Sequence, residues 1–315
     1  MSKIKIGIIG AGYIAQEHLK VIKKINNFSV MGITSRTSSK AETLASKFDI
    51  NNVYEDYQSM IDECSLDGIM ILVSAEKIFK ITKELIPYKI PLFIEKPAGL
   101  NPEETKVLLS LSNEYQTINL VGYNRRFYSI FHKGLDLIAQ MGGLIGIAAE
   151  GHERFWKIPK EDFSEKELEN WFYANSTHTI DLLRLFGGEV DQINTFKNSL
   201  IEKNGDQFAA SFRFNSGAIG TYTSHWYSPG GWSVKLYCKE ATLEFKPLES
   251  GLWIDKDFQE HQILPDEVDV KYKPGFFNQM LTFKNMIINR KLDWPGVDLN
   301  ETLKTMKLAQ NFIDG

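Results

Sequence analysis

Cysteine is scarce in this chain: 315 residues hold 2, Cys64 and Cys238, far apart and without metal-ligand spacing. Two distant thiols exclude a disulfide framework and a thiolate zinc site, and they predict a reducing compartment, the cytoplasm. Histidine is nearly as rare, at 6, and no two form an H-x-x-x-H pair, so no metal is expected. Charge of one sign is not in excess. Lys+Arg total 36 against 40 Asp+Glu, a net charge of −4, which removes the electrostatic basis for nucleic-acid binding. The longest apolar runs, residues 68–73 and 90–94, are strand-length and well short of the about 20 residues of a membrane span. A strand pattern begins at Ile4, so neither a signal peptide nor a membrane partner is expected. Low-complexity tracts and solenoid repeats are also missing. What remains is 43% hydrophobic and 24% charged, the composition of a globular protein long enough for two domains.

The strongest positive signal lies in the first forty residues. Ile4-Lys5-Ile6-Gly7-Ile8-Ile9 is a β-branched, nearly continuous apolar run, as in a strand buried on both faces. It leads into Gly10-Ala11-Gly12-Tyr13-Ile14-Ala15, a G-x-G-x-x-A turn, and then into a helical pattern through Ile25. Gly10 permits the tight turn, Gly12 lets backbone approach a pyrophosphate, and small Ala15 lets helix pack on strand. A second strand, residues 28–34, ends at Ser35-Arg36-Thr37-Ser38-Ser39-Lys40. An NAD-preferring site carries an acid there for the ribose 2′-hydroxyl. Arg36, with Lys40 and several hydroxyls, suits a 2′-phosphate instead, so NADP is favoured over NAD. The plain alternative for Arg36 is a solvated loop residue.

From residue 1 to about 121, apolar strands (3–9, 28–34, 67–73, 90–95, 117–121) alternate with helical patterns (13–25, 38–47, 56–63, 76–86, 102–115). That alternation predicts a parallel sheet with helices on both faces and ligands at the carboxyl ends of the strands. After Tyr123 the texture changes. Helical patterns at 127–140 and 177–186 flank a strand at 144–150, and residues 190–264 are strand-rich. Residues 208–214 and 218–226 alternate about Asn215-Ser216-Gly217 as a hairpin does, and 234–237 pairs naturally with 242–245. Amphipathic helices close the chain at 275–289 and 299–313. The expected architecture is an α/β Rossmann domain, residues 1–122, and an α+β domain, residues 123–297, with a large, mostly antiparallel, open-faced sheet. The helix at about 298–315 is expected to pack back on the first domain. An open sheet face needs a cover, which predicts a homodimer or homotetramer.

Two groups could handle a proton. Lys96, in Glu95-Lys96-Pro97, follows the strand at 90–94 on the ligand side of the sheet. Partial burial beside a cationic ring would lower its pKa. His178, in Thr177-His178-Thr179-Ile180-Asp181, falls in the first turn of a helix, where the dipole favours a neutral imidazole. Asp181 lies one turn on, placed to orient His178 or to touch a sugar hydroxyl. The bland readings are a surface lysine and a capping or core histidine. Gly122-Tyr123-Asn124-Arg125-Arg126-Phe127 follows the next strand, where Arg125 or Arg126 could bind an anion or pin the fold. His152, Arg154, Trp156, Trp171, Tyr173, His225 and Trp226 form aromatic-rich segments suited to sugar C–H faces or to a core.

In this order the motifs are familiar. G-x-G-x-x-A, then Glu95-Lys96-Pro97, then G-Y-N-R-R-F, then His178-x-x-Asp181 resembles the glucose–fructose oxidoreductase/inositol dehydrogenase (Gfo/Idh/MocA) family along essentially the whole chain. The resemblance implies NAD(P)-dependent hydride transfer to or from a sugar, nucleotide-sugar or cyclitol-like compound. It implies Lys96, His178 and Asp181 as catalytic residues and a cis Lys96–Pro97 peptide. Cofactor contacts would come from Gly10, Gly12, Tyr13, Ile14, Ser35, Arg36, Ser74, Glu95 and Lys96, and substrate contacts from Asn124, Arg125 and His178. Two departures stand out. Ala174 occupies the place of an aspartate four residues before the histidine, and Val73-Ser74-Ala75-Glu76-Lys77-Ile78 replaces a T-P-N-x-x-H-like turn. These departures keep two alternatives open: a non-catalytic NAD(P)-binding sensor or assembly subunit, and a glycosidase that uses NAD transiently.

Overall fold

A computed structural model describes residues 3–315. The chain divides into two compact units, one made of residues 1–124 with 271–303, the other of residues 125–270 with 304–315. The first unit holds a six-stranded sheet: β1 (Ile4–Ile9), β2 (Phe28–Thr34), β3 (Val53–Tyr54), β4 (Gly68–Ile71), β5 (Leu92–Ile94) and β6 (Asn119–Val121). Its order is β3-β2-β1-β4-β5-β6 and every pairing is parallel. Strand order reverses between β1 and β4, the switch point at which open α/β sheets receive ligands. Helices α1 (Tyr13–Ile22), α2 (Ser38–Phe48), α3 (Tyr57–Glu63), α4 (Ala75–Leu85) and α5 (Pro102–Tyr115) connect the strands. Burial on both faces explains the continuous apolar runs: every residue of β4 and β5 is buried.

The second unit is built on an eight-stranded sheet, β7 (Leu144–Gly151), β8 (Val190–Asn198), β9 (Gln207–Phe214), β10 (Ile219–His225), β11 (Trp232–Cys238), β12 (Thr242–Phe245), β13 (Gly251–Ile254) and β14 (Glu260–Ile263). Its order is β14-β13-β12-β11-β7-β10-β9-β8, antiparallel throughout except between β7 and β10. Helices α6 (Ser129–Gln140), α7 (Glu165–Glu169), α8 (Thr177–Gly187) and α9 (Glu267–Lys271) follow in chain order, then α10 (Phe276–Asn289) and α11 (Leu299–Asp314). Along β10, Gly220, Tyr222 and Ser224 are buried while Ile219, Thr221 and His225 face out, so one sheet face carries the core. That core gathers Phe131, Phe155, Leu182, Leu183, Phe208, Tyr222 and Phe245.

The fold class is the expected one. The boundaries differ. Residues 271–297 group with the first unit rather than the second, residues 298–303 group with the first as expected, and residues 304–315 group with the second rather than the first. The cause is packing that periodicity does not name. Phe276 of α10 packs at a tilt against His18 of α1, ring centres 4.5 Å apart, and Phe283 meets Phe93 of β5 at 5.7 Å. The two-residue edge strand β3 was not expected; it pairs with β2 only through Ile33–Val53 and Thr34–Tyr54.

Candidate active site

In the first unit the glycine turn is built as its spacing predicts. Gly10 has φ +112°, and a Cβ on it would lie 2.1 Å from the Leu72 carbonyl oxygen, so only glycine fits. Gly12 is the N-cap of α1, and a Cβ there would meet nothing within 4 Å. Open ground before a helix N-terminus whose first turn carries no acid is where a pyrophosphate fits. Ala15 is fully buried beneath it. Ile14 is half-buried, and Tyr13 is exposed with the Lys273 ammonium 5.1 Å from its ring centre. Ser35 and Arg36 follow β2, the serine half-buried and the arginine exposed. Ser74, exposed, is the N-cap residue of α4, and its side chain makes no cap hydrogen bond. These residues fit a dinucleotide. They all lie at or beside the carboxyl ends of β1, β2 and β4.

Glu95 and Lys96 leave the end of β5 half-buried, and the Lys96–Pro97 peptide is cis. Glu95 passes close to two elements. Its Oε2 lies 3.8 Å from His18 Nε2, and a Cβ at Gly122 would come within 2.6 Å of the same oxygen. His18 was not singled out from the sequence. Its signal was its place three residues after Ala15, on the buried face of α1. It is fully buried between Phe93 and Phe276. Burial pushes its pKa down, Glu95 pulls it back up, and Lys273 adds a smaller push down. Asn124 donates from Nδ2 to the Pro274 carbonyl at 3.0 Å.

In the second unit, His178 is the second residue of α8 and is buried. A five-residue π-helical turn, Phe172–Ser176, leads straight into that helix, and Ala174 sits within it. Such turns concentrate at functional sites, and nothing in the apolar pattern announces one. The His178 ring lies 5.9 Å from the indole of Trp232, and the Arg125 guanidinium covers that indole at 4.4 Å. The structure therefore brings Arg125 and His178 to one tryptophan. It gives Asp181 other partners. Its Oδ2 accepts from Arg126 Nε at 2.6 Å, and its Oδ1 from Arg126 Nη2 and Thr305 Oγ1, both at 2.9 Å.

Beside Trp232 opens a cavity of about 770 Å³ within this unit. Glu153 lines it, a buried carboxylate that accepts from Trp171 Nε1 at 3.0 Å, Asn175 Nδ2 at 2.5 Å and Ser176 Oγ at 2.6 Å. All three donors lie on the segment that ends at His178, so Glu153 fixes where that segment runs. The sequence hid it, because its donors stand 18 to 23 residues away. His152 Nδ1 accepts from the His225 amide at 3.0 Å, and burial holds the His152 pKa down. Among the described residues there is no group of three or more His, Cys, Asp or Glu able to hold a metal ion, and no helix long and apolar enough to cross a membrane.

Known proteins resemble this chain in both of its units. Residues 4–123 match the model of an oxidoreductase family with an NAD-binding Rossmann fold, and residues 148–244 match the GFO/IDH/MocA C-terminal domain. The uncharacterised oxidoreductase YrbE of Bacillus subtilis is 26% identical over 198 residues, 61% of this chain and 56% of that protein's length. The myo-inositol 2-dehydrogenase of Thermotoga maritima is 24% identical over 230 residues, 69% of this chain and 67% of that one. Among solved structures, a levoglucosan dehydrogenase in complex with NADH and L-sorbose superposes with a TM-score of 0.83 over 100% of this chain and 96% of its own. At 15% identity that likeness shows the fold alone.

Proposed function

We infer the reaction from one premise: the chain belongs to the GFO/IDH/MocA family of oxidoreductases. The reading is hydride transfer to or from a carbinol carbon of a sugar, nucleotide sugar or cyclitol. The observation that carries it is the pairing of an open glycine cradle at Gly12, after β1, with Lys96 at the carboxyl end of β5, two strands away across β4 in the same parallel sheet. A nicotinamide cofactor bound there supplies the hydride acceptor or donor. Lys96 then serves as the group that takes or returns the hydroxyl proton, and Glu95 beside it lies 3.8 Å from the buried His18. His178 serves as the second proton-handling group, and Arg125 and Trp232 present a flat face to the substrate. Asp181 serves as an anchor of α8 through Arg126 and Thr305. Arg36, exposed after β2 with Thr37, Ser38 and Ser39, supports a preference for NADP over NAD. Ile219 and Tyr237, exposed on the open sheet face, support self-association as a dimer or tetramer.

The test is turnover of Lys96→Ala against a panel of polyols and cyclitols, myo-inositol included, following nicotinamide absorbance. Loss of a positioned acid–base group lowers kcat by about 10²–10⁴-fold. Full activity of Lys96→Ala on a substrate the wild type turns over removes the lysine from the chemistry.

A further inference from the structure

We propose that the cavity of the second unit takes an anionic substrate, a polyol or sugar bearing a carboxylate or a phosphate ester. The proposal rests on the reading of that cavity as the substrate site. Four cationic side chains line it: Arg125, Arg154, Lys157 and Lys246. Lys246 pairs with Glu150 at 3.0 Å, and the Arg125 guanidinium is spread over Trp232. Among the described residues, Arg154 and Lys157 have no carboxylate within ion-pair distance. Two cations without counter-ions beside one cavity form a ready site for a planar carboxylate or a phosphate.

The lining acids do not cancel them. The Glu153 carboxylate is buried and already holds Trp171, Asn175 and Ser176. Glu249 accepts the Tyr128 hydroxyl at 3.2 Å, and Asp162 is exposed.

Backbone geometry points the same way. Arg154 sits in the left-handed region with φ +52°, a conformation that a long side chain adopts only when the surroundings impose it. The Phe155 amide, bonded to the Trp226 carbonyl at 2.9 Å, holds the following residue in place. Glycines make room for what results. A Cβ on Gly231 would stand 3.6 Å from Arg154 Nη2, and one on Gly230 would stand 2.6 Å from the His152 ring.

The experiment is equilibrium binding by calorimetry to the full chain in the presence of saturating NADP⁺ and, separately, NAD⁺, with D-glucuronate, D-glucose 6-phosphate, D-glucose and myo-inositol as probes. The same samples are followed for NADPH or NADH formation. The expected result is that one charged probe binds about tenfold or more tightly than D-glucose, and that Lys157→Gln and Arg154→Gln each erase most of that advantage, weakening the charged probe far more than D-glucose. Lys157 is exposed, so its variant keeps the fold even if the left-handed site at 154 tolerates glutamine poorly. Which charged probe wins distinguishes carboxylate from phosphate. Equal affinities, a preference for D-glucose or myo-inositol, no binding of either anion, or a charge advantage that both variants retain each overturn the proposal. Charge-controlled binding without NADPH or NADH formation upholds it and counts against hydride transfer for that probe. Turnover of a neutral polyol with no charge preference does the reverse.

Discussion

Asp181 offers the sharpest test of how this site is held. Substitution by asparagine keeps the shape and the Thr305 hydrogen bond but removes the charge that faces Arg126. Both side chains are nearly out of solvent, 7% exposed for the arginine and 2% for the aspartate. The guanidinium would stay buried without its counter-ion. Breaking one partner of such a pair costs about 3–5 kcal/mol. For a protein of this size each kcal/mol moves Tm by about 2–4 °C, so Asp181→Asn should melt roughly 6–20 °C below wild type. Urea unfolding followed by circular dichroism supplies the free energy, and a double variant, Arg126→Met with Asp181→Leu, supplies the control. An apolar pair of similar volume removes the orphaned charge and should recover most of the loss. If Asp181→Asn unfolds with the wild type, or the double variant is no more stable than the single one, the anchor reading is wrong. Unchanged stability together with lost turnover would instead return Asp181 to the reacting groups.

Two further outcomes follow from the first unit. Arg36→Ala should weaken NADPH binding by about tenfold or more, the loss of one charge-assisted contact of about 1.5–3 kcal/mol, and leave NADH binding unchanged; nicotinamide fluorescence titration reads both, and equal losses would reduce Arg36 to a solvated loop residue. His18 has its folded-state pKa held below 6.5, first by burial. As pH falls through about 6.5 the unfolded chain takes the proton first, so stability is present above that value and is lost on the way down to the folded pKa. His18→Phe should flatten that part of the profile in urea unfolding between about pH 7 and about pH 5, and matching slopes in both proteins would refute the assignment.

Legibility in this sequence followed burial. The strands of the first sheet could be read because residues such as Ile69, Met70 and Ile71, fully buried, leave an apolar run that water-facing strands lack. The β9–β10 hairpin could be read because Phe208, Ala210, Phe212 and Phe214 are buried at every second position about a glycine turn. Helix α10 could be read as a helix but not placed. Its apolar stripe shows that one face is covered, and only the contacts of Phe276 with His18 and of Phe283 with Phe93 show by what. The glycine turn and the strand-end place of Lys96 could be read because backbone approach and strand-end position constrain residue type locally. Glu153 and His18 were not, because each acts through partners distant in the chain, and a buried polar group shows its purpose only through those partners.

The two departures from the family pattern do not carry equal weight once packing is considered. The turn at residues 73–78 still places Ser74 at the N-cap of α4, the position where a helix end meets the switch point of the sheet. Its changed residues alter what the loop offers a ligand and leave its place intact. Position 174 is different. Ala174 is buried, and its neighbours Asn175 and Ser176 both donate to the Glu153 carboxylate. An aspartate at 174 would put a second buried negative charge on a turn that already binds one, and like charges brought out of water together are costly. The alanine and the glutamate are one arrangement: the carboxylate of this turn comes from the end of β7, and its hydrogen bonds run to the segment that delivers His178. A motif read residue by residue records that exchange as a loss, because the compensating charge lies outside the motif, 21 positions earlier in the chain.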